Sequence, residues 1–226
     1  MNLEDILRNG YFPKELPPPF NTKLFANYFR TKNNFKGMRG KEIKSMYLDY
    51  SIPKTNYFRT KVGVLNPYNF LVLSEVIKDN YSDIQRLINK SNLTTSKPNT
   101  SNYFKTEHTY GEFKDMALLD SLNTNVLLVT DISRFYSSIY THSIPWAIHT
   151  KVVAKVDRSD SKYGNSIDTA LRNCQDQQTN GIPIGPITSN IIAELVLCAI
   201  DKELQVHHIK GKRYVDDYML FFKSIS

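Results

Sequence analysis

The segment Arg213–Phe222 reads RYVDDYMLFF, and its two adjacent aspartates, Asp216 and Asp217, have apolar residues on both sides. Asp is disfavoured inside strands and favoured in turns. The pattern therefore predicts a β-hairpin, with one strand running into Tyr214-Val215, the acids at the tight turn and a second strand over Tyr218–Phe222. Two neighbouring carboxylates in an apolar setting repel each other and need a partner. A divalent cation is one such partner, and an ordinary acidic turn is the alternative.

A further acid ends an apolar run earlier in the chain. Residues Asn125–Asp131 read NVLLVTD, in which apolar and β-branched residues lead to a single carboxylate. Such a run predicts a buried strand whose terminal acid faces a site. The next residues, Ile132–Ile139, read ISRFYSSI and place aromatic and small side chains directly behind that acid.

A glycine- and proline-containing loop is the third candidate segment. Residues Gln178–Asn190 read QTNGIPIGPITSN, and two glycines allow the backbone to approach a ligand closely. Ser189 or Asn190 is positioned to cap a helix from Ile191 to about Leu204. The alternative is a loop that only starts this helix.

Taken in order, these three segments resemble the palm motifs of the reverse transcriptase family. Asp131 stands where the first motif carries its metal-binding acid, Gly181–Ser189 is similar to the second motif, and Tyr214–Asp217 matches the YxDD box. A narrower resemblance, to bacterial abortive-infection (Abi) reverse-transcriptase-like proteins, rests on residues 131–136, 139–147, 10–20 and 181–186. The resemblance covers nearly the whole chain.

This resemblance implies an α+β right-hand polymerase fold, with an antiparallel palm sheet that has helices on one face. Residues 1–30 would form an N-terminal helix and a Pro-rich strap, and residues 31–120 a fingers-like region. Residues 121–226 would form the palm, with an inserted fingers segment at about 153–180. The thumb would be absent because the chain ends soon after the hairpin. The chain would then be a fragment, a truncated gene product or a protein completed by another chain, and we expect association with itself or with a missing C-terminal partner.

The family's chemistry is two-metal nucleotidyl transfer. The resemblance assigns Asp131, Asp216 and Asp217 as the catalytic acids and as ligands of two Mg²⁺ ions, with a backbone carbonyl from Ile132. Mn²⁺ is the alternative ion. Magnesium prefers oxygen ligands and keeps waters and substrate phosphates, so few carboxylates are needed.

The resemblance also implies a set of substrate-binding residues. Tyr136 would exclude the 2′-hydroxyl of a ribonucleotide, with Phe135 packed inward; a core aromatic is the alternative for Tyr136. Lys54 and Arg59 would bind the incoming triphosphate, and a solvated basic hairpin is their alternative. The substrate-binding residues assigned in this way are Lys54, Arg59, Phe135, Tyr136, Gly185 and Pro186.

The expected function is that of a reverse transcriptase-like DNA polymerase in phage defence, with dNTPs as substrates and nucleic acid (RNA template, DNA product) as partner. Ile184 replaces the glutamine usual in the broader family and cannot hydrogen-bond the incoming nucleotide. This departure affects fidelity and the use of a template. The Abi resemblance suggests template-independent addition of deoxynucleotides as the alternative to RNA-templated synthesis. The alternative is a truncated, inactive palm that binds nucleic acid or a partner, and a signalling cyclase with a similar palm is a remote third.

Composition agrees with a polyanionic partner. The 226 residues include 29 Lys and Arg against 22 Asp and Glu, a net charge of +7. Cys174 and Cys198 lack metal-ligand spacing and are expected to be reduced thiols. No apolar run approaches the ~18–20 residues of a membrane helix, and we expect a cytoplasmic protein.

Three further segments carry local expectations. Residues 52–67 predict a basic hairpin, and Tyr68–Asn89 predicts mainly helix. Ser91–Asn102 reads SNLTTSKPNTSN, which is polar and turn-rich and predicts a mobile loop.

Overall fold

The computed structural model describes residues 1–14, 16–17, 19–31, 43–99, 102, 104–159 and 161–224. Within this part the fold is mixed α+β, with ten helices and two small antiparallel sheets. The elements in chain order are α1 (Leu3–Asn9), α2 (Lys23–Thr31), β1 (Leu48–Pro53), β2 (Arg59–Val64), α3 (Pro67–Asp79), α4 (Tyr81–Ile88), α5 (Tyr110–Ser121), β3 (Val126–Asp131), α6 (Phe135–Ser138), α7 (Ser143–His149), α8 (Lys151–Val156), α9 (Tyr163–Asn173), α10 (Ile187–Val206), β4 (Lys210–Tyr214) and β5 (Asp217–Phe222).

The chain forms two compact units, each built from two separate segments. The first unit contains Met1–Tyr81 and Tyr136–Ile191, and the second unit contains Ser82–Phe135 and Ile192–Ser226. The sequence motifs are therefore divided between the units, with the three acids in the second and the glycine-containing loop in the first.

The first unit combines a hairpin with packed helices. Strands β1 and β2 pair antiparallel from Leu48 opposite Val64 to Pro53 opposite Arg59. The predicted hairpin is confirmed in type, but its first strand begins at Leu48, four residues before the predicted start. Helix α3 begins with Pro67, and the Asn66 side chain caps it by accepting the backbone N–H of Tyr68 at 3.0 Å.

The helical prediction for residues 68–89 is confirmed in type but not in continuity. Helix α3 ends at Asp79, and Asn80 is its C-cap before α4 begins. The Asn80 side chain donates to the carbonyl of Val76 at 2.8 Å. Asn competes for local backbone groups in this way, which favours a helix end over a helix interior.

The second unit contains a three-stranded antiparallel sheet in the order β3-β5-β4. Strands β4 and β5 form the predicted hairpin, with Tyr214 opposite Asp217. The turn differs from the prediction by one residue, because Val215 lies in the turn and Asp217 begins β5. The central strand β5 supplies buried side chains, including Tyr218, Leu220 and Phe221. Helix α5 packs against β4, and Thr109 and Glu112 form a capping box at its start.

Strand β3 is present as predicted, but the prediction that it is buried is wrong. Its central residues Leu127, Leu128 and Val129 are 51%, 46% and 61% exposed. The strand lies at the edge of the sheet and pairs only with β5 among the described strands. An apolar, β-branched sequence sets strand propensity, but the position in the sheet sets burial.

Two other local predictions are wrong. Helix α10 begins at Ile187, so Ser189 and Asn190 lie inside its first turn and do not cap it. Their backbone N–H groups donate to the carbonyl of Pro186 at 3.0 and 3.4 Å. The prediction of a mobile loop over residues 91–102 is also wrong for its first part. Four residues there are buried and hydrogen-bonded: Ser91, Thr94, Thr95 and Ser96.

Both cysteines are free thiols inside the fold. Cys174 belongs to the first unit and is fully buried, and Cys198 belongs to the second and is 7% exposed. Burial raises the pKa of each thiol above its ordinary value, and Glu194 adds to this effect at Cys198. Along the described ranges, none of the helices has the length and apolarity needed to cross a membrane.

Candidate functional site

The turn between β4 and β5 has a strained backbone. Val215 and Asp216 are its two central residues, because Tyr214 pairs with Asp217. Val215 has a φ of 51°, a left-handed value that glycine adopts easily and a β-branched residue does not. A positive φ at the first central residue is typical of type II′ hairpin turns. Such strain persists only where the surroundings enforce it, and it is concentrated at functional sites.

The strand register brings the three predicted acids to one end of the sheet. Asp131, the last residue of β3, is the direct cross-strand partner of Asp217, the first residue of β5. The backbone N–H of Ile132 donates to the carbonyl of Asp216 at 3.3 Å. Cross-strand partners have Cβ atoms about 4.5–5.5 Å apart and share a face of the sheet. The register therefore pairs Asp131 with Asp217, and Asp216 lies in the turn beside them.

The donor chemistry of this sheet end suits a hard cation, since carboxylate and carbonyl oxygens are the ligands that Mg²⁺ prefers. Asp131 is exposed, and Asp216 and Asp217 are half-buried. In the described residues, no three or more His, Cys, Asp or Glu side chains lie together as a metal-binding group. The strand register thus places the three residues at one end of the sheet, but their carboxylates do not form a set of metal ligands.

A buried ion cluster lies directly behind the turn. Arg213 has no exposed surface, and its guanidinium donates to Glu194 at 2.9 and 3.1 Å and to Asp201 at 2.7, 2.9 and 3.0 Å. Glu194 and Asp201 are seven residues apart on α10, which is two turns and hence one face. We call this group, together with the hydroxyls of Ser91, Thr94, Ser96 and Tyr218 that contact its carboxylates, the Arg213 cluster.

The Arg213 cluster contains two carboxylates and one cation, and hydroxyl donors stabilise the additional negative charge. Asp201 accepts from Ser91 at 2.6 Å and from Tyr218 at 2.9 Å. Burial alone would raise the pKa of Glu194, but Arg213 and the hydroxyls of Thr94 and Ser96 outweigh it and hold that pKa below its ordinary value. Both carboxylates therefore contact the one guanidinium, and hydroxyl donors satisfy their remaining hydrogen-bonding capacity, as burial requires.

The Arg213 cluster holds the strained turn through both polar groups of Val215. The Val215 N–H donates to Ser96 Oγ at 2.9 Å, and its carbonyl accepts from Arg213 Nη1 at 2.9 Å. Two backbone hydrogen bonds also join β4 to the segment before α5. The Thr95 N–H donates to the carbonyl of Arg213, and the Arg213 N–H donates to the carbonyl of Leu93, each at 2.8 Å. The backbone of the acidic turn is thus fixed by contacts with buried groups.

The Arg213 cluster was not predicted from the sequence. Two signals were present: two acids seven residues apart on an apolar helix, and an arginine immediately before the YxDD box. Neither signal predicts that the serines and threonines of residues 91–96 donate hydrogen bonds to these carboxylates, because the two segments are distant in sequence.

The first unit holds a second group of predicted residues. The Tyr136 hydroxyl donates to Asn190 Oδ1 at 3.0 Å, and the Tyr136 carbonyl accepts from the N–H of Ile182 at 2.8 Å. Gly185 has a φ of 121°, and a Cβ there would lie 2.5 Å from Pro13 Cγ. Pro186, next along the loop, is buried. Tyr136 and the glycine-containing loop are therefore joined within one unit.

The remaining predicted residues are Phe135 in the second unit and Lys54 and Arg59 in the first. Phe135 is 5% exposed, in agreement with inward packing. Lys54 is exposed in the turn that follows β1, and Arg59 begins β2. The Arg59 guanidinium donates to the hydroxyl and carbonyl of Ser51 at 2.8 and 2.7 Å.

Comparison with known proteins adds no family to these observations. No family model matches the chain, and no curated protein matches it.

Proposed function

We propose that this chain is a reverse transcriptase-like nucleotidyltransferase that adds deoxynucleotides to a nucleic-acid 3′ end in bacterial phage defence. Its two units would correspond to parts of a palm-and-fingers polymerase. One observation carries the proposal: the register of β3 on β5 sets Asp131 beside the strained turn that bears Asp216 and Asp217. The order of the three sequence motifs supports it independently.

The proposed roles follow the positions of the residues. Asp131, Asp216, Asp217 and the backbone carbonyl of Ile132 would hold the divalent ions, which when bound neutralise the charge that develops on the phosphates. The Arg213 cluster positions the turn on which Asp216 lies. Tyr136, whose hydroxyl is bonded to Asn190, would limit the space at the sugar.

The direct test is incorporation of labelled dNTPs by the full chain with Mg²⁺, with and without an RNA template. We expect Asp131→Asn and Asp216→Asn to reduce incorporation by at least about 100-fold, because each change removes a charged ligand. Chelation with EDTA should abolish incorporation, and added Mg²⁺ or Mn²⁺ should restore it.

Asp115→Asn is the matched control, because Asp115 is an exposed acid on α5 of the same unit. It should incorporate dNTPs at the parental rate. The circular dichroism spectra of all variants should match that of the parent. Parental incorporation in Asp216→Asn would disprove the assigned role.

A second candidate, a nucleic-acid-binding module without catalysis, is favoured by the tip of the β1–β2 hairpin. Tyr57 and Phe58 at this tip are 91% and 70% exposed, beside the cations Lys54 and Arg59. Exposed aromatic rings next to positive charges are the combination that binds single strands, through base stacking and phosphate contacts.

The two candidates are separated by comparing binding with incorporation. Tyr57→Ala with Phe58→Ala should weaken single-stranded DNA binding about tenfold or more, since each stacked base contributes about 1–3 kcal/mol. Binding with no incorporation under any template condition would favour the module over the enzyme. Tyr28→Ala, on α2 of the same unit and 45% exposed, is the control for loss of an exposed aromatic side chain.

A further inference from the structure

The first unit contains a cavity that the proposed polymerase chemistry does not use. It has a volume of about 360 Å³ and lies among α7, α8, α9 and the segment before α7. Its lining comes entirely from residues 140–172, all within the first unit. Small-molecule sites have volumes of about 300–1,000 Å³, so the space is sufficient for a mononucleotide.

The lining carries an excess of positive charge. Lys155, Arg158 and Arg172 contribute three cations, and Asp168 contributes the one carboxylate. Lys155 and Arg158 are exposed and form no ion pair with another described residue. A site with two surplus cations, whose guanidinium and ammonium groups are hydrogen-bond donors, favours a phosphate group.

The Asp168 carboxylate holds two other lining side chains in place, and its negative charge is already bonded to them. The carboxylate is almost fully buried; its two oxygens accept from His142 Nδ1 at 2.7 Å and from Arg172 Nε at 3.3 Å. Arg172 also donates to Gln177 at 2.8 Å and to Thr169 at 3.4 Å. Three of the five N–H donors of the guanidinium are thus engaged, which fixes the group and leaves two for a ligand.

Aromatic rings form another part of the lining. Tyr140 and Trp146 have ring centroids 5.8 Å apart, and Tyr140 packs edge-on against His142 at 5.1 Å. Tyr140 is 43% exposed although it belongs to this aromatic group. Partly open aromatic rings offer a nucleobase a stacking surface, and that contact does not depend on the base.

We propose that this cavity binds a nucleotide, with the phosphate at Arg158, Lys155 and Arg172 and the base against Tyr140 and Trp146. The ligand is a phosphorylated nucleoside, either free or as the phosphorylated end of a strand. The lining residues belong to the first unit and the three acids to the second, and the proposal does not depend on the proposed polymerase activity.

Trp146 provides a direct readout, because it is the one tryptophan in the sequence. Fluorescence excited at 295 nm should change on titration of the full chain with dAMP in EDTA, which silences any metal-dependent site. Deoxyadenosine has the base but no phosphate, and inorganic phosphate has no base. Each should therefore bind at least about tenfold more weakly than dAMP. A 5′-phosphorylated oligonucleotide compared with its 5′-hydroxyl form tests the strand end as the source.

Variants at the cavity mouth complete the test. Arg158→Ala and Lys155→Ala should each weaken dAMP binding about tenfold, the effect of losing one charge-assisted hydrogen bond. Lys78→Ala is the control, because Lys78 is an exposed lysine on α3 of the same unit. Tyr140→Leu should weaken dAMP binding and leave phosphate binding unchanged. No fluorescence change with dAMP at millimolar concentration, or equal weakening by Lys78→Ala and Arg158→Ala, would overturn the proposal.

Discussion

At the scale of single residues, Val215 shows a conflict between side chain and backbone. A β-branched residue has a positive φ there, and contacts from Ser96 and Arg213 hold it in place. Strain of this kind costs about 1–3 kcal/mol. The energy is retained in the turn that bears Asp216, so substitutions at this position should follow an unusual order of stability.

We predict that Val215→Gly is more stable than Val215→Ala, by about 1 kcal/mol, because alanine keeps the penalty for a left-handed backbone and glycine does not. Urea unfolding measures the difference. Val129, on β3, provides the matched pair, and there glycine should be less stable than alanine by about 0.5–1 kcal/mol. The same order at both positions would show that the strain at Val215 is absent in solution.

Arg213 is the residue on which the buried charges of the second unit depend. We predict that Arg213→Met lowers the free energy of unfolding by about 3–5 kcal/mol, because it leaves Glu194 and Asp201 without their cation. Arg86→Met is the control, since Arg86 pairs with Asp83 at 3.0 Å but is 72% exposed. That change should cost at most about 1 kcal/mol. Similar losses in both variants would contradict the prediction.

At the scale of elements, the start of α9 depends on a histidine. The Gly164 N–H donates to His149 Nε2 at 3.2 Å, so the ring nitrogen must be unprotonated. Burial first, and then Lys162, lower the pKa of His149 from its ordinary value of 6.5, against an opposing effect of Asp157. The neutral ring is therefore favoured in the folded state. Its contribution to stability is complete above the unfolded pKa and is lost as the pH falls below about 6.5.

We predict that His149→Gln, which keeps an acceptor but does not titrate, loses stability less steeply than the parent between pH 7 and pH 5. Chemical unfolding at several pH values gives the slopes, and hydrogen exchange at the Gly164 amide reports the local bond. A parental slope in the variant would show that His149 does not contribute through this contact.

Strand β3 is an exposed apolar edge, and such edges promote association between chains. We predict that Val129→Lys lowers the average mass measured by analytical ultracentrifugation at high protein concentration. Val206→Lys is the control, because Val206 is 60% exposed on a helix and offers no strand edge. An unchanged mass distribution in Val129→Lys would exclude β3 as the associating surface.

The elements also show what the sequence could and could not predict. The hairpin of β4 and β5 followed from local chemistry, since apolar residues favour strands and aspartates favour the turn. The exposure of β3 did not follow, because it depends on which strand occupies the edge. The burial of residues 91–96 could not be predicted for a similar reason. Their polar side chains donate hydrogen bonds to charged groups on α10, more than 90 residues away in the chain.

At the scale of the whole molecule, the α+β class agrees with what the family resemblance implied, but the division into units could not be predicted from the sequence. Each unit combines an early segment with a late one, and the acids and the glycine-containing loop fall on different sides of the division. The position of Asp131 was predictable as a strand end, and those of Asp216 and Asp217 as part of a hairpin turn. The Arg213 cluster that holds their turn was not, because its contacts join residues from three distant segments.

The two buried thiols give each unit an internal reporter of its own opening. Only the thiolate reacts with alkylating reagents, and burial suppresses it at both Cys174 and Cys198. Labelling followed by peptide mass spectrometry therefore times the opening of each unit in the unmodified chain. We predict that Arg213→Met accelerates labelling of Cys198, whose Sγ is 3.6 Å from Arg213 Nη2, and leaves the rate at Cys174 unchanged. Equal acceleration at both thiols would mean that the two units unfold as one cooperative body.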